Sequence, residues 1–199
     1  MTTARLAKPS DVPAMARSQM RAFTDDPLIT WMLPDDDFER RATVLFDAMI
    51  RAGLTNEHTY TTDDAVCSAI WAPPGKWAYT DDQLALLGEP FVDAAGDHAV
   101  RALGVLDEIS SNHLAEPHWY LGLLGTHPDW QRRGCASVVL APILARCDAE
   151  RLPAYLETQK ESNVPFYRRH GFEVTQTLQL TNGAPKLWLM RREPIDPTP

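Results

Sequence analysis

Cysteine is scarce in this chain. Cys67, Cys135 and Cys147 are its only three, an odd number with no C-x-x-C spacing, which excludes a disulfide framework and a clustered zinc site. A reducing cytoplasm and no bound metal are the matching expectations. Long apolar runs are missing as well: nothing approaches the roughly 18 residues of a membrane span. The N-terminal stretch MTTARLAKPSDVPAMARSQMRAF also lacks the apolar core of a signal peptide. Neither a membrane partner nor export is expected. Positive charge is in deficit, with 19 Lys and Arg against 27 Asp and Glu and a formal net charge of -8. That balance argues against a broad grip on nucleic acid phosphates. It suits a cationic substrate, and it equally serves to keep a cytosolic protein in solution. The nucleotide-binding patterns G-x-G-x-x-G and G-x-x-x-x-G-K-[ST] do not occur, so NAD and ATP readings lose ground.

What is present reads as one folded domain. The chain has 199 residues, of which 44% are apolar and 23% charged, an ordinary balance for a globular protein. A single domain over 1–193 is expected, with 194–199 a disordered tail. Residues 3–7 read as a strand. Ser10-Asp11-Val12-Pro13 announces a helix with Val12, Met15, Ala16, Met20 and Phe23 at helical spacing. Asp25-Asp26-Pro27 breaks it, and a second helix is expected from about Phe38 to Ala52. His58–Thr62 and Ala65–Ala72 read as a hairpin ended by Pro73-Pro74-Gly75. Over Trp77–Ala115 the glycines and Pro90 interrupt the periodicity, and only short helices are expected. From Trp119 the pattern sharpens into a strand (Tyr120–Thr126), a loop, a helix (Cys135–Glu150) and a second strand (Ala154–Thr158). These two strands should run roughly parallel. A short helix over Asn163–His170, closed by Gly171, precedes two further strands about Glu173–Leu180 and Lys186–Arg191. The fold class is therefore α/β with a mixed sheet.

The stretch Leu123-Leu124-Gly125-Thr126-His127-Pro128-Asp129-Trp130-Gln131-Arg132-Arg133-Gly134-Cys135-Ala136-Ser137 carries the most information. A strand feeds a loop that opens a helix, so unpaired backbone N–H groups converge where the helix dipole favours an anion. Gly134 and Ala136 are small enough for a pyrophosphate to approach the main chain. Arg132 and Arg133 add local positive charge to an otherwise acidic protein.

Leu124-Gly125-Thr126-His127-Pro128 followed by Gln131-x-x-Gly134-x-Ala136 resembles the acetyl-CoA signature of the GNAT N-acetyltransferase superfamily. Glu157-Thr158 and Asn163-x-x-Phe166-Tyr167-x-x-x-Gly171-Phe172 resemble the same family's final motif, in the right order. The resemblance spans 118–191 and fades toward the N-terminus. The runs Pro153–Thr158, Asn163–Tyr167 and Leu187–Met190 are similar to members of the puromycin N-acetyltransferase type.

The resemblance implies a central twisted mixed sheet of six to seven strands flanked by helices, and acetyl-CoA as co-substrate. It implies that Leu124, Gly125 and Thr126 bind pantetheine and the thioester through their main chain, with the Leu124 N–H as oxyanion donor. Arg132, Arg133, Gly134, Cys135, Ala136 and Ser137 would hold the pyrophosphate, and Asn163 the pantetheine or phosphate arm. Tyr167 is expected to protonate the departing thiolate. For the general base, Glu157 stands first and His118 second. Because Cys135 lies in the phosphate loop, direct transfer in a ternary complex is expected over an acetyl-enzyme.

The acceptor is expected to be the primary amine of a small molecule, such as an aminoacyl nucleoside or another antibiotic. A protein or peptide amine, a polyamine and a non-catalytic acyl-CoA-binding regulator are the alternatives. Trp31, Trp71, Trp77, Tyr79 and Trp119 are candidates to wall an aryl-bearing acceptor. Asp25-Asp26 and Asp35-Asp36-Asp37 read more readily as solvated caps and turns. A monomer or homodimer is expected.

Overall fold

The computed structural model describes residues 2–195 of the chain. Seven strands form one mixed sheet: β1 (Ala4–Leu6), β2 (Thr59–Thr62), β3 (Cys67–Ala72), β4 (Trp119–Thr126), β5 (Ala154–Thr158), β6 (Phe172–Gln179) and β7 (Lys186–Arg192). Their order is β1-β2-β3-β4-β5-β7-β6. Only the β4/β5 pair is parallel, and every other neighbour is antiparallel.

Helices cover both faces. On one lie α1 (Val12–Ala22), α2 (Pro27–Met32), α3 (Phe38–Leu54), α4 (Asp81–Ala95) and α5 (Ala99–Ser111), which share a core with Leu123, Tyr155, Leu187 and Leu189 of the sheet. On the other, α6 (Cys135–Glu150) and α7 (Val164–Arg168) pack on Trp71, Trp119, Leu121, Leu156 and Met190. The alternation along β4 and β5 follows from the pleat, which sends successive side chains to opposite layers.

The structure corrects three expectations. Asp25-Asp26-Pro27 does not merely break a helix. The Asp26 carboxylate accepts the Leu28 and Ile29 N–H groups and so caps α2, giving three N-terminal helices in place of two. The 77–115 segment forms two full helices, α4 and α5, with Gly88, Pro90 and Gly104 inside them. Packing against α3 holds α4 together over Pro90, and Gly88 and Gly104 face open space, so each costs about 1 kcal/mol of helix propensity but no packing. Finally, the Ile195 N–H donates to Asp148 Oδ1 at 2.8 Å. Pro194 and Ile195 are therefore not part of a loose tail, while 196–199 lie outside the described residues.

Candidate active site

β4 and β5 are paired at only two positions, Trp119 with Ala154 and Tyr120 with Tyr155. Beyond Tyr120 they part, while β4 continues along β3 as far as Thr126. β3 pairs Trp71 with Leu121 and Ile70 with Leu123, so Gly122 is an extra residue that bulges β4 where the parting begins. From there on, alternate residues of β4 turn their N–H and C=O groups toward a neighbour that no longer pairs with them. Gly122 is exposed and Leu124 half-buried in consequence.

A cleft of about 1020 Å³ opens over this stretch. Leu124, Gly125 and Thr126 of β4 line it, as do Arg132, Gly134, Cys135, Ala136 and Ser137 at the start of α6, and Asn163 and Tyr167. At its base Gly125 abuts α1, where a Cβ would lie 1.9 Å from the Gln19 side-chain oxygen. No larger residue fits there. Gln19 is fully buried and is anchored by donating to the Ser68 hydroxyl at 2.6 Å.

The entrance to α6 is shaped by two left-handed residues, Arg132 (φ 61°) and Gly134 (φ 81°). No side chain caps the helix. The Val138 N–H is bonded back to the Gly134 carbonyl, so the amides of Cys135, Ala136 and Ser137 have no partner within the helix. Three donors and the positive end of a 16-residue helix thus meet at the cleft. This arrangement matches a pyrophosphate in charge and in hydrogen-bonding sense. Ser137 Oγ lies 2.9 Å from His170 Nε2, and His170 Nδ1 lies 3.0 Å from the Phe166 carbonyl, tying α7 to the mouth of α6.

Tyr167 lies across the cleft on α7. Burial, together with the nearby Asp26 carboxylate, raises its phenol above the ordinary value, so it stays protonated and able to donate at neutral pH. Burial likewise raises the Asp26 carboxyl. Lys160 bridges the rim to Asp25. Asn163 donates to Thr158 Oγ1 at 3.3 Å and still lines the cleft. Arg133, in contrast, is not on the cleft wall: it is exposed, with its guanidinium 5.1 Å from the centre of the Trp130 ring. The buried thiols of Cys67 and Cys147 are pushed up to about 12, and neither lines the cleft.

Glu157 is not on the cleft wall either. Its side chain is 6% exposed and its Oε1 lies 3.1 Å from His113 Nδ1. His113 Nε2 in turn lies 3.0 Å from His118 Nε2, and His118 Nδ1 is 2.6 Å from the Glu116 carbonyl. Trp77 stacks on the His113 ring at 4.0 Å, and the rings of Tyr120 and Tyr155 meet it edge-on. Burial, then the Glu157 charge, raises both tyrosine phenols. The two carboxylate and histidine candidates of the sequence therefore belong to one sealed cluster, joined by His113, which sequence reasoning missed. No pattern marks His113: it follows α5, 44 positions from its carboxylate partner.

The aromatic candidates separate. Trp71 and Trp119 are core residues under α6, Trp31 lies beneath the Arg101 guanidinium, and Tyr79 is exposed. Trp77 stacks on the Glu157 cluster and the buried hydroxyl end of Tyr79 acts on Tyr120 within it, so two of the five sit at that cluster and the five do not wall one pocket. Asp36 and Asp37 pair with Arg41 and Arg40, as solvated turn residues do. Among the described residues no group of three or more His, Cys, Asp or Glu side chains is placed to hold a metal ion. No helix among them is long and apolar enough to cross a membrane.

Comparison with known proteins returns a consistent relationship. The model of the acetyltransferase (GNAT) family matches residues 57–172. An uncharacterised N-acetyltransferase of Schizosaccharomyces pombe is 27% identical over 207 residues, covering 96% of this chain and 83% of the yeast protein. Among solved structures, a Corynebacterium glutamicum protein described as histone acetyltransferase HPA2 and related acetyltransferase superposes with a TM-score of 0.70. It is 23% identical, covering 100% of this chain and 99% of that one. The Drosophila melanogaster polyamine N-acetyltransferase superposes with a TM-score of 0.65 at 10% identity, covering 97% and 100%.

Proposed function

From the premise that this chain belongs to the acetyltransferase (GNAT) family and is an N-acetyltransferase, we propose that it acetylates the primary amine of a small molecule. In this reading acetyl-CoA, the co-substrate of the family, is the donor, and acceptors of the aminoacyl nucleoside or related antibiotic type are the first to try. The observation that carries it is the cleft itself. The uncapped start of α6, the parted main chain of β4 and the phenol of Tyr167 line one continuous wall.

The roles follow the chemistry of the groups. The amides of Cys135, Ala136 and Ser137, with Arg132 beside them, bind the pyrophosphate. Arg133, packed on Trp130, contributes only long-range positive charge. Asn163 orients the pantetheine arm near Thr158. The Leu124 N–H stabilises the oxyanion formed as the amine attacks, and Gly125 and Thr126 continue the main-chain edge. Tyr167 gives its proton to the departing thiolate. Glu157, on β5 just past the parting, receives the proton that the ammonium must lose through water, because its side chain lies off the cleft wall.

The amine attacks the thioester directly. Cys135 opens the phosphate-binding turn, and the two other thiols lie off the cleft. Initial velocities measured by thiol release, with acetyl-CoA varied against an amine, should give intersecting lines. Parallel lines together with an acetylated Cys135 in the mass spectrum would sink the direct mechanism.

A further inference from the structure

The cluster behind the parting of β4 and β5 has a proton count that its hydrogen bonds dictate. A carbonyl only accepts, so His118 Nδ1, 2.6 Å from the Glu116 carbonyl, must carry a hydrogen. Its Nε2 is then free to accept, and His113 Nε2 at 3.0 Å must be the donor. That leaves His113 Nδ1 facing Glu157 Oε1 at 3.1 Å. Two bare lone pairs would repel, so one proton has to sit between them, on the imidazole or on the carboxyl. Each link in the row carries one proton, and each points from Glu157 toward the Glu116 carbonyl or is shared at the Glu157 end.

The cluster is also closed. The side chains of His113 and Glu157 are 3% and 6% exposed, and His118 is 1% exposed. The titratable groups facing His113 are Glu157 and Tyr155 from β5 and His118 and Tyr120 from β4 and its approach, with Trp77 stacked over the ring. The Tyr155 and Tyr120 phenols both lie against the Glu157 carboxylate, whose charge, after burial, raises them.

We propose that His113 is a positioning residue for the reaction: it holds Glu157 through Oε1 and the shared proton, leaving Oε2 to receive the acceptor amine's proton relayed by water from the cleft. His118 fixes the ring of His113 and is itself fixed by the Glu116 carbonyl, as second partners orient a working imidazole elsewhere. The role assigned to His113 rests on Glu157 being the proton acceptor of the proposed acetyl transfer. In the step, the N–H bond of the ammonium breaks, its proton passes through that water to Glu157 Oε2, and the freed electron pair on nitrogen attacks the acetyl carbon.

Two measurements test this. Nitrogen NMR of histidine-labelled wild-type protein should show His118 protonated on Nδ1 and bare on Nε2, with His113 protonated on Nε2. His118 protonated on Nε2 would overturn the proton order, whatever any variant does. The second compares His113→Phe, which keeps the stack on Trp77, with Glu157→Gln. In His113→Phe, kcat should fall about tenfold or more while the KM for acetyl-CoA stays unchanged. The double variant should be no slower than Glu157→Gln alone. An unaltered kcat in His113→Phe with a strongly impaired Glu157→Gln would remove His113 from the mechanism. Full activity in Glu157→Gln would instead remove Glu157, and the proposed proton acceptor with it.

Discussion

The open cleft and the closed Glu157 cluster flank the same parting of β4 and β5 and are made of opposite materials. The cleft is main chain and one exposed cation: uncapped amides at α6, the unpaired edge of β4, and Arg132 at the entrance. The cluster is side chain throughout, with Glu157, His113 and His118 in line under Trp77. Main-chain donors bind any phosphate, so the cleft fits a cofactor-like donor common to many enzymes. A row of side chains with a fixed proton count suits one job at one atom. The same division explains why donor binding is readable across a large family while the acceptor is not.

The largest expected effect isolates Tyr167. In Tyr167→Phe, acetyl transfer should fall by about 10² to 10⁴, with the acetyl-CoA Kd from calorimetry within about twofold of wild type. Because burial and Asp26 raise the phenol, wild-type turnover should also show no basic limb from Tyr167 below about pH 10. A limb near pH 8 that vanishes in Tyr167→Phe would contradict the assignment.

The comparison sharpens with Ser137→Asp, which puts a carboxylate among the α6 amides. Acetyl-CoA should bind about tenfold more weakly through repulsion of its phosphates, yet the melting temperature should hold or rise, since an acid near a helix start is favourable. A fall in stability with unchanged Kd would mean that this turn is structural only. Trp77→Ala acts on the other side. It should cost about 1–2 kcal/mol in a urea titration, less than a fully buried aromatic, and it should raise the KM for the amine while sparing acetyl-CoA binding. The smallest effect is expected of Cys135→Ala, whose turnover should match wild type within about twofold.

The contrast between the two regions also accounts for what the sequence revealed. The cleft is local: strand, turn and helix lie within Trp119–Glu150, and the observed bounds of α6 (Cys135–Glu150) and β5 (Ala154–Thr158) are those the pattern predicts. Gly134 ends the turn and the apolar period starts at once, so little else competes. Over 77–115 the local signals mislead, because Pro90 and two glycines sit within helices that α3 and α2 hold in place by packing. Glu157 was legible as a strand-end acid, but His113 and Trp77 come from segments joined only by the tertiary fold. Trp71 and Trp119, which read as walls for an acceptor, are core instead, because β3 and β4 turn them under α6.

The most direct measurement is free-thiol release from acetyl-CoA with a panel of amines: puromycin and other aminoacyl nucleosides, aminoglycosides, polyamines and peptides with free N-termini. The account predicts turnover with a small-molecule primary amine, abolished in Tyr167→Phe. Turnover confined to the peptides, or silence across the panel despite tight acetyl-CoA binding, would contradict it.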